Sequence, residues 1–291
     1  MMKGIILAGG SGTRLYPLTK GTSKQMLPVF DKPMIYYPLS ILMLAQIRDI
    51  LIITTKEDQS NFQRLLGDGS NYGVNLEWVV QNEPKGLAEA FIIGEEFIGQ
   101  ENVCLILGDN FFYGQNLISR LNNMINNLNG ATVCGVYVND PKAYGVLELK
   151  EGKVIAIHEK PENPPSNFAV PGLYFYDNTV IKKAKNVKPS ARGEIEITSI
   201  NNMYIQEGRL NAQLMGRGFT WFDTGSHTDL LQAANFVETI QSRQGYYIGA
   251  IDEIGFNNGW ISEADFTKAC EELKKTEYGQ YLNRILKESK R

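Results

Sequence analysis

The sequence has few of the residues that most often bind metals or form nucleophile and base pairs. Its 291 residues include only 2 histidines and 3 cysteines. His158 and His227 are too few for a multi-histidine metal site, and we expect each to be a hydrogen-bonded structural side chain. Cys104, Cys134 and Cys270 are too scattered for a zinc pattern and predict buried, reduced thiols. Without a Ser-His-Asp or Cys-His pattern, chemistry through a covalent nucleophile is not expected.

Long apolar runs and a strong net charge are also missing. No apolar run approaches the roughly 18 residues of a membrane span, and residues 1–4 do not resemble a signal peptide. We therefore expect a soluble, cytoplasmic protein with no membrane partner. The net charge of −3 argues against a general nucleic-acid binder. The first 32 residues are nevertheless basic, which suits a small polyanionic ligand; their charged residues are Lys3, Arg14, Lys20, Lys24, Asp31 and Lys32.

Two common phosphate-binding loops are absent. No Walker sequence occurs, and Leu15 stands where the dinucleotide fingerprint that starts at Gly10 needs its third glycine. The first segment is instead an apolar run over residues 4–8 followed by three glycines, Gly9, Gly10 and Gly12. This pattern predicts a buried strand and a turn whose N–H groups can contact phosphate oxygens.

Strands and helices alternate along residues 1–138, with interior strands at 50–54 and 103–107. The alternation predicts an α/β, Rossmann-like, doubly wound and mostly parallel sheet with helices on both faces. Residues 146–149 and 154–157 form a predicted hairpin in a small inserted β lobe, which continues with a strand over 169–176. We expect one domain over 1–245, with parts at about 1–140 and 141–225, and a helical C-terminal extension over 246–291.

Two further segments carry polar residues. Residues 193–198 are predicted to open a helix that reaches about Glu207. Residues 221–226 are predicted to form a turn before a helix over about 228–241, with Ser226 as its N-cap. Asp109 and Asp223 each follow a strand-like run, so we expect them to meet at the carboxyl edge of the sheet. Two such carboxylates suit Mg²⁺, although a lone Asp109 could equally be a turn or capping residue.

Four motifs together resemble those of the sugar-phosphate nucleotidylyltransferases. They are Leu-Ala-Gly-Gly-Ser-Gly-Thr-Arg-Leu over 7–15 with a Lys-x-x-Leu-Pro sequel over 24–28, Gln-x-x-Pro-x-Gly-Leu over 81–87, Gly-Asp-Asn over 108–110, and Trp-x-Asp-Thr-Gly over 221–225. The resemblance covers residues 1–245, and the tail is similar to that of longer bacterial members. It implies that dTTP and glucose 1-phosphate react with Mg²⁺ present and release pyrophosphate. It also implies a homotetramer that supplies deoxysugar pathways such as that of dTDP-rhamnose.

The resemblance implies a role for each matching residue. Catalysis is assigned to Arg14, Lys24, Asp109, Lys160 and Asp223, with Asp109 and Asp223 binding the metal. The nucleotide is assigned to Leu7, Ala8, Gly9, Gly10, Ser11, Gly12, Thr13, Arg14, Lys24, Gln25, Gln81, Pro84, Gly86 and Asp109. The sugar phosphate is assigned to Asn110, Gly145, Glu159, Lys160, Val170, Gly172, Tyr174, Thr198 and Trp221. A second, regulatory nucleotide site is assigned to Tyr113, Gly114, Arg217 and Glu253. Glu194 and Glu196 receive no role, because they could shape a pocket or begin a helix.

Three alternative interpretations stay open. A UTP-dependent enzyme would use the same residues, because thymine and uracil differ only by a methyl group and Gln81 would contact the same edge of both. A catalytically silent regulatory subunit would share the fold, but would be expected to lack some of the charged residues. An NAD-dependent sugar-modifying enzyme is disfavoured by the missing third glycine.

Overall fold

The computed structural model of the protein describes residues 2–10, 12–190 and 193–290. The strands are β1 (Met2–Ala8), β2 (Pro28–Val29), β3 (Lys32–Pro33), β4 (Asp49–Thr54), β5 (Asn75–Val80), β6 (Asn102–Leu107), β7 (Asn110–Gly114), β8 (Ala131–Tyr137), β9 (Gly145–Lys150), β10 (Lys153–Glu159), β11 (Phe168–Val170), β12 (Leu173–Tyr176), β13 (Leu210–Leu214) and β14 (Phe219–Asp223). The α-helices are α1 (Tyr36–Leu44), α2 (Gln59–Leu66), α3 (Glu89–Ile93), α4 (Glu95–Ile98), α5 (Leu117–Asn126), α6 (Val180–Asn186), α7 (Ile197–Gln206), α8 (His227–Gln244), α9 (Ile251–Asn257), α10 (Glu263–Glu272) and α11 (Glu277–Glu288).

The central sheet has the strand order β10-β9-β11-β8-β12-β6-β1-β4-β5, with β13 paired beside β8. Neighbours in the segment β6-β1-β4-β5 are parallel, whereas β12 is antiparallel to both β6 and β8. β1 and β4 are near-continuous apolar runs because both faces of a parallel sheet are covered. The predicted α/β fold with a central, mostly parallel sheet is confirmed.

Successive side chains of β1 point to opposite faces of the sheet and join different cores. Ile6 packs in a cluster with Leu42 of α1 and Phe62 of α2. Ile5 packs on the other face with Phe91 of α3 and Ile200 of α7. These two cores hold the loops that follow β1 and β6 in fixed positions.

The predicted hairpin is present as β9 and β10, which pair antiparallel and extend the central sheet. The single strand predicted over 169–176 is two strands, β11 and β12, separated by Pro171 and Gly172. Pro171 has no N–H for a ladder hydrogen bond. Gly172 approaches Leu107 so closely that a Cβ would lie 2.5 Å from its Cγ.

Two local predictions were wrong. The helix expected from Gly193 begins only at Ile197, because Glu196 has extended backbone angles and serves as its N-cap. The first half of the turn expected over 221–226 is the end of strand β14, which pairs antiparallel with β7 so that Asp223 lies opposite Asn110. The helix after it does have Ser226 as N-cap, whose hydroxyl accepts from the N–H of Asp229 at 3.1 Å.

The segment after α8 is helical, as predicted, and packs through its own apolar cluster around Phe266 and Leu282. The division into a domain ending at 245 and an extension stays a prediction. The cysteines are free and buried, as expected. No helix in the described ranges is long and apolar enough to cross a bilayer.

The basic N-terminal segment does not act as one charged surface. Lys32 is 3% exposed, and its Nζ lies 2.6 Å from Asp31 Oδ1 and 3.1 Å from Gln241 Oε1. The Nζ of Lys3 donates to the Phe97 carbonyl instead. These two lysines are thus engaged within the protein, and the expectation that the basic segment suits a polyanionic ligand stays a prediction.

Candidate active site

The candidate site lies where β1 and β6 end, at the carboxyl edge of the parallel sheet, where ligands collect in open α/β folds. Gly9 and Gly10 follow β1, and Gly108 and Asp109 follow β6. The backbone N–H of Gly108 donates to the Leu7 carbonyl at 2.9 Å. This bond holds the two loops side by side.

Lys24 and Asp109 form a tight ion pair at the centre of this edge. Lys24 begins the 3-10 helix Lys24–Met26 and is 6% exposed. Its Nζ lies 2.5 Å from Asp109 Oδ2, and the amide of Asn110 donates to Asp109 Oδ1 at 2.8 Å. Burial would raise the pKa of Asp109, but the charge and hydrogen bond of Lys24, together with Asn110, hold that pKa below its ordinary value.

Asp223 reaches the same point from a small separate sheet. β14 pairs with β7, so its last residue is placed beside Asn110 and next to Asp109. The hydroxyl of Thr224 donates to the Asp109 carbonyl at 2.8 Å and fastens the two strand ends together. The two carboxylates were predicted to meet at one edge of the central sheet. They do meet, but at a junction of two sheets, because Asp109 follows β6 of the central sheet and Asp223 ends β14 of the two-stranded sheet.

Asp223 carries a charge with little compensation. Its Oδ1 is buried and accepts no hydrogen bond from any described residue. Burial and the negative charge of Asp109 raise the pKa of Asp223 to about 6, while Lys24 and Arg14 oppose the rise. An unpartnered carboxylate oxygen beside a second carboxylate fits a divalent cation. The described residues contain no group of three or more His, Cys, Asp or Glu that could hold a metal, so further ligands would be phosphate oxygens and water.

Gly225 lies close to both Arg14 and this carboxylate. A Cβ on Gly225 would lie 2.8 Å from Arg14 Nη2 and 2.8 Å from Asp223 Oδ1. Only glycine therefore leaves both side chains where they are. Arg14 lines the larger of two cavities that meet at the site, and this cavity has a volume of about 630 Å³.

All the residues assigned to the sugar phosphate line this 630 Å³ cavity, which we call the sugar-side cavity. They are Asn110, Gly145, Glu159, Lys160, Val170, Gly172, Tyr174, Thr198 and Trp221. They come from β7, the β9–β10 hairpin and the residue after it, the β11–β12 segment, α7 and β14. The inserted lobe therefore supplies one wall of the cavity.

Lys160 and Glu159 stand at the end of β10. Thr198 donates to Glu159 Oε2 at 2.6 Å, which fixes one oxygen of that carboxylate. Lys160 has a φ of +44°, a conformation that non-glycine residues rarely adopt, and its N–H donates to the Tyr144 carbonyl at 3.0 Å. Backbone held in this region is often part of a functional site.

Asn110 lines the sugar-side cavity, but its amide is committed to the protein. Its nitrogen donates to Asp109, and its oxygen accepts from the Gly172 N–H at 2.9 Å and from Trp221 Nε1 at 2.6 Å. The residue is 2% exposed. Asn110 therefore positions Asp109, the Gly172 backbone and Trp221 relative to one another.

A smaller cavity of about 220 Å³ lies on the other side of Asp109, and we call it the nucleotide-side cavity. The residues assigned to the nucleotide that line it are Leu7, Gly9, Gly10, Gln25, Gln81, Pro84, Gly86 and Asp109. Arg14 lines the sugar-side cavity instead, and Ser11 lies outside the described residues. Ala8, Gly12, Thr13 and Lys24 do not line the nucleotide-side cavity. Ala8 is fully buried because its methyl group packs in the core.

Gly86 was assigned to the nucleotide, and the structure shows a packing reason for glycine at this position. Its φ is +104°, and a Cβ would lie 2.6 Å from the backbone N and O of Ile195. The Ile195 N–H donates to the Lys85 carbonyl at 2.7 Å. The loop that contains Gly86 is thus packed directly on the segment before α7.

The two cavities share four lining residues, which are Leu87, Leu107, Asp109 and Glu194. Leu87 and Leu107 were not assigned to the site, and Glu194 was left without a role. Leu107 ends a predicted strand, but the meeting of Leu87 and Glu194 beside it depends on the packing of two loops and could not be predicted from local sequence. Glu196 also lines the sugar-side cavity.

The residues assigned to a second nucleotide site are only partly together. Tyr113, Gly114 and Glu253 line a separate cavity of about 860 Å³, which lies between α1, the end of β7, α5 and α9. Arg217 is not among the residues that line it.

The fold and the site define an α/β protein with two cavities that meet at an aspartate on the carboxyl edge of its sheet. The chain belongs to the nucleotidyl transferase family, whose sequence profile matches residues 3–240. The resemblance predicted from the motifs is confirmed.

Within that family the chain is similar to proteins named glucose-1-phosphate thymidylyltransferase. The one from Neisseria meningitidis is 56% identical over 287 residues, which are 98% of this chain and 100% of the relative. The one from Mycolicibacterium smegmatis is 52% identical over 286 residues, covering 98% of this chain and 99% of the relative.

Solved structures show the same fold. A Bacillus anthracis structure described as a putative glucose-1-phosphate thymidylyltransferase in complex with a sucrose superposes with a TM-score of 0.76 at 43% identity, over 81% of this chain and 95% of that one. A UDP-glucose pyrophosphorylase with UDP-glucose gives a TM-score of 0.73 at 26% identity, over 82% and 99% of the two chains.

Proposed function

We propose that the protein transfers thymidylate from dTTP to glucose 1-phosphate, forming dTDP-glucose and pyrophosphate. The observation that carries this proposal is the meeting of two cavities at Asp109, one with Gln81 in its wall and one lined by polar groups that suit a sugar. The relatives that match over 98% of this chain have the same activity in their names.

The reaction requires the protein to bring two anions together. An oxygen of the sugar phosphate attacks the α-phosphorus of dTTP, and the bond from that phosphorus to the oxygen bridging to the β-phosphorus breaks in line with the attack. The electron pair leaves with pyrophosphate. Positioning and charge compensation therefore supply the catalysis, and no side-chain nucleophile is needed.

Each substrate has candidate contacts on its own side. Gln81 would contact the pyrimidine, Glu159 would accept hydrogen bonds from sugar hydroxyls, and Lys160 would contact the sugar phosphate. Arg14 would compensate the charge of the triphosphate and of the departing pyrophosphate. Lys24 would hold Asp109 in place and present its remaining N–H donors to the phosphates.

Asp109 and Asp223 would hold the divalent cation, and we propose that it is Mg²⁺. A bound Mg²⁺ supplies positive charge to the phosphate oxygens and keeps several water ligands, which suits a site with two carboxylates. Asn110 fixes one oxygen of the Asp109 carboxylate, and Thr224, the residue after Asp223, holds the end of β14 against the Asp109 carbonyl.

The first experiment is pyrophosphate release with glucose 1-phosphate and Mg²⁺, offering dTTP, UTP, CTP, GTP and ATP separately. Strongest release with dTTP supports the proposal, and preference for UTP would favour the uridylyltransferase interpretation. Absence of release with every nucleotide, while dTTP still binds, would favour the silent regulatory subunit.

A second nucleotide site in the 860 Å³ cavity is part of the proposal. Tyr113 and Gly114 in its wall belong to β7, whose first residue Asn110 contacts Asp109, so the cavity and the candidate site share one strand. Inhibition of turnover by dTDP-rhamnose should weaken in Tyr113→Ala. Inhibition that persists in both Tyr113→Ala and Arg217→Ala would count against this site.

We also propose that the protein assembles as a homotetramer with a C-terminal extension after residue 245. Sedimentation equilibrium tests the tetramer, and a species of any other mass would refute it. Limited proteolysis near residue 245, compared with the rest of the chain, tests the boundary.

A further inference from the structure

The amide of Gln81 is held in one orientation by a neighbouring carboxylate. Gln81 follows β5, is 7% exposed, and its Nε2 donates to Glu89 Oε2 at 2.6 Å. The backbone N–H of Lys85 donates to the same Glu89 oxygen at 3.2 Å. On the other side, Gln81 Oε1 lies against Gly9, where a Cβ would be 2.9 Å from it.

A carboxylate accepts hydrogen bonds but has no proton to give, so Glu89 can bind only the nitrogen end of the Gln81 amide. A reversed amide would place Gln81 Oε1 where Nε2 now lies, 2.6 Å from Glu89 Oε2. Two hydrogen-bond acceptors would then face each other without a proton between them. Glu89 does not line the nucleotide-side cavity, so it acts on a ligand through Gln81 and through the loop around Lys85, and not by direct contact.

We propose that Glu89 is a positioning residue that fixes the Gln81 amide and so sets which pyrimidine edge the cavity accepts. The inference rests on the proposed function, because it takes Gln81 as the residue that contacts the base. Thymine and uracil present a central N3–H donor flanked by two carbonyl oxygens. The fixed amide offers Oε1 to that N3–H and its second N–H to a carbonyl oxygen.

Cytosine presents the opposite pattern at two of these positions. Its N3 is an acceptor and its exocyclic amine is a donor, so a base in the same place needs the amide reversed. Glu89 opposes that reversal, and cytosine is excluded for that reason. The arrangement does not separate thymine from uracil, because both have the same imide edge.

The test compares kcat/KM for dTTP, dUTP and dCTP in wild type, Glu89→Leu, Glu89→Gln and the control Glu83→Gln. Glu89→Leu should lower the dTTP to dCTP ratio by about tenfold, equivalent to about 1.4 kcal/mol, and leave the dTTP to dUTP ratio unchanged. Glu89→Gln keeps the shape of the side chain, but its amide can turn and donate to a reversed Gln81, so it should lower the same ratio. Glu83 is an exposed carboxylate of the same loop that pairs with Lys85, and Glu83→Gln should match wild type.

An unchanged dTTP to dCTP ratio in folded Glu89→Leu would overturn the proposal, and so would an equal loss with all three nucleotides. If Glu89→Leu does not fold, the shape-preserving Glu89→Gln decides the matter by the same ratio. Wild-type turnover is measured first, so failure of the proposed function is seen separately. The ratio of dissociation constants for dTTP and dCTP then tests Glu89 without turnover.

Discussion

Neutralising Asp109 and neutralising Asp223 should affect stability in opposite directions. Asp109 is compensated by Lys24 at 2.5 Å, whereas Asp223 has a buried oxygen with no hydrogen-bond donor among the described residues. Asp109→Asn removes the charged partner of a buried ammonium. Asp223→Asn removes a charge that the folded protein, free of cation, compensates poorly.

The magnitudes follow from these environments. Breaking a buried ion pair by removing one partner costs about 3–5 kcal/mol, and the amide oxygen introduced by Asp109→Asn would recover part of that through a hydrogen bond from Lys24. Burial and Asp109 raise the pKa of Asp223 to about 6, so its charge is destabilised in the folded protein, by about 1.4 kcal/mol per pKa unit. Asp223→Asn removes that charge but leaves an amide without a partner, so the net gain in stability should be about 1–2 kcal/mol. Both variants should lose turnover by about 10²–10³, since each removes one preorganised contact.

The assay is urea unfolding at one protein concentration, without and with Mg²⁺, beside pyrophosphate release. Mg²⁺ that binds only the folded state should stabilise wild type as its concentration passes the dissociation constant, and this gain should shrink in both variants. Destabilisation of Asp223→Asn by as much as Asp109→Asn would refute the charge argument. Near-normal turnover in both variants would refute the two-carboxylate site.

Three further changes test other parts of the structure. Gly225→Ala places a Cβ 2.8 Å from Asp223 Oδ1, so turnover should fall at least about tenfold while circular dichroism stays native; normal turnover would show that the glycine is dispensable. Lys32→Met leaves the exposed Asp31 without its partner and removes a buried ammonium whose pKa is lowered by burial. The free energy of unfolding should therefore change by no more than about 1 kcal/mol, and KM for either substrate should not change; a changed KM would mean that Lys32 acts on the site. Partial burial raises the pKa of Asp177, but hydrogen bonds from Thr179, Tyr204 and Arg209 lower it by more. The Asp177 carboxylate therefore stabilises the folded protein above its unfolded-state pKa, and this stabilisation is lost as pH falls through the folded-state pKa. Asp177→Asn should therefore cost about 1–3 kcal/mol at pH 7, and in urea unfolding that difference should disappear in strong acid; a difference independent of pH would contradict this.

Much of the candidate site could be predicted because its residues follow strands. The apolar runs of β1 and β6 identify interior strands, and the polar residues that follow them must lie at the carboxyl edge. That reasoning located Gly9 and Asp109 without a structure. It could not show that the Asn110 amide binds Gly172 and Trp221, because those contacts depend on strand pairing across 62 and 111 residues.

The sequence by itself determined the alternation of strands and helices, the glycine turn and the types of charged group available, since these depend on local periodicity and side-chain chemistry. Only the tertiary structure decided how the groups are used. The pairing of β7 with β14 brings Asp223 to Asp109, packing buries Lys32 against Gln241, and the loop after β5 places Glu89 against Gln81. Each is a contact between segments that neighbour one another only after the chain has folded, so the local pattern around either partner does not identify the other.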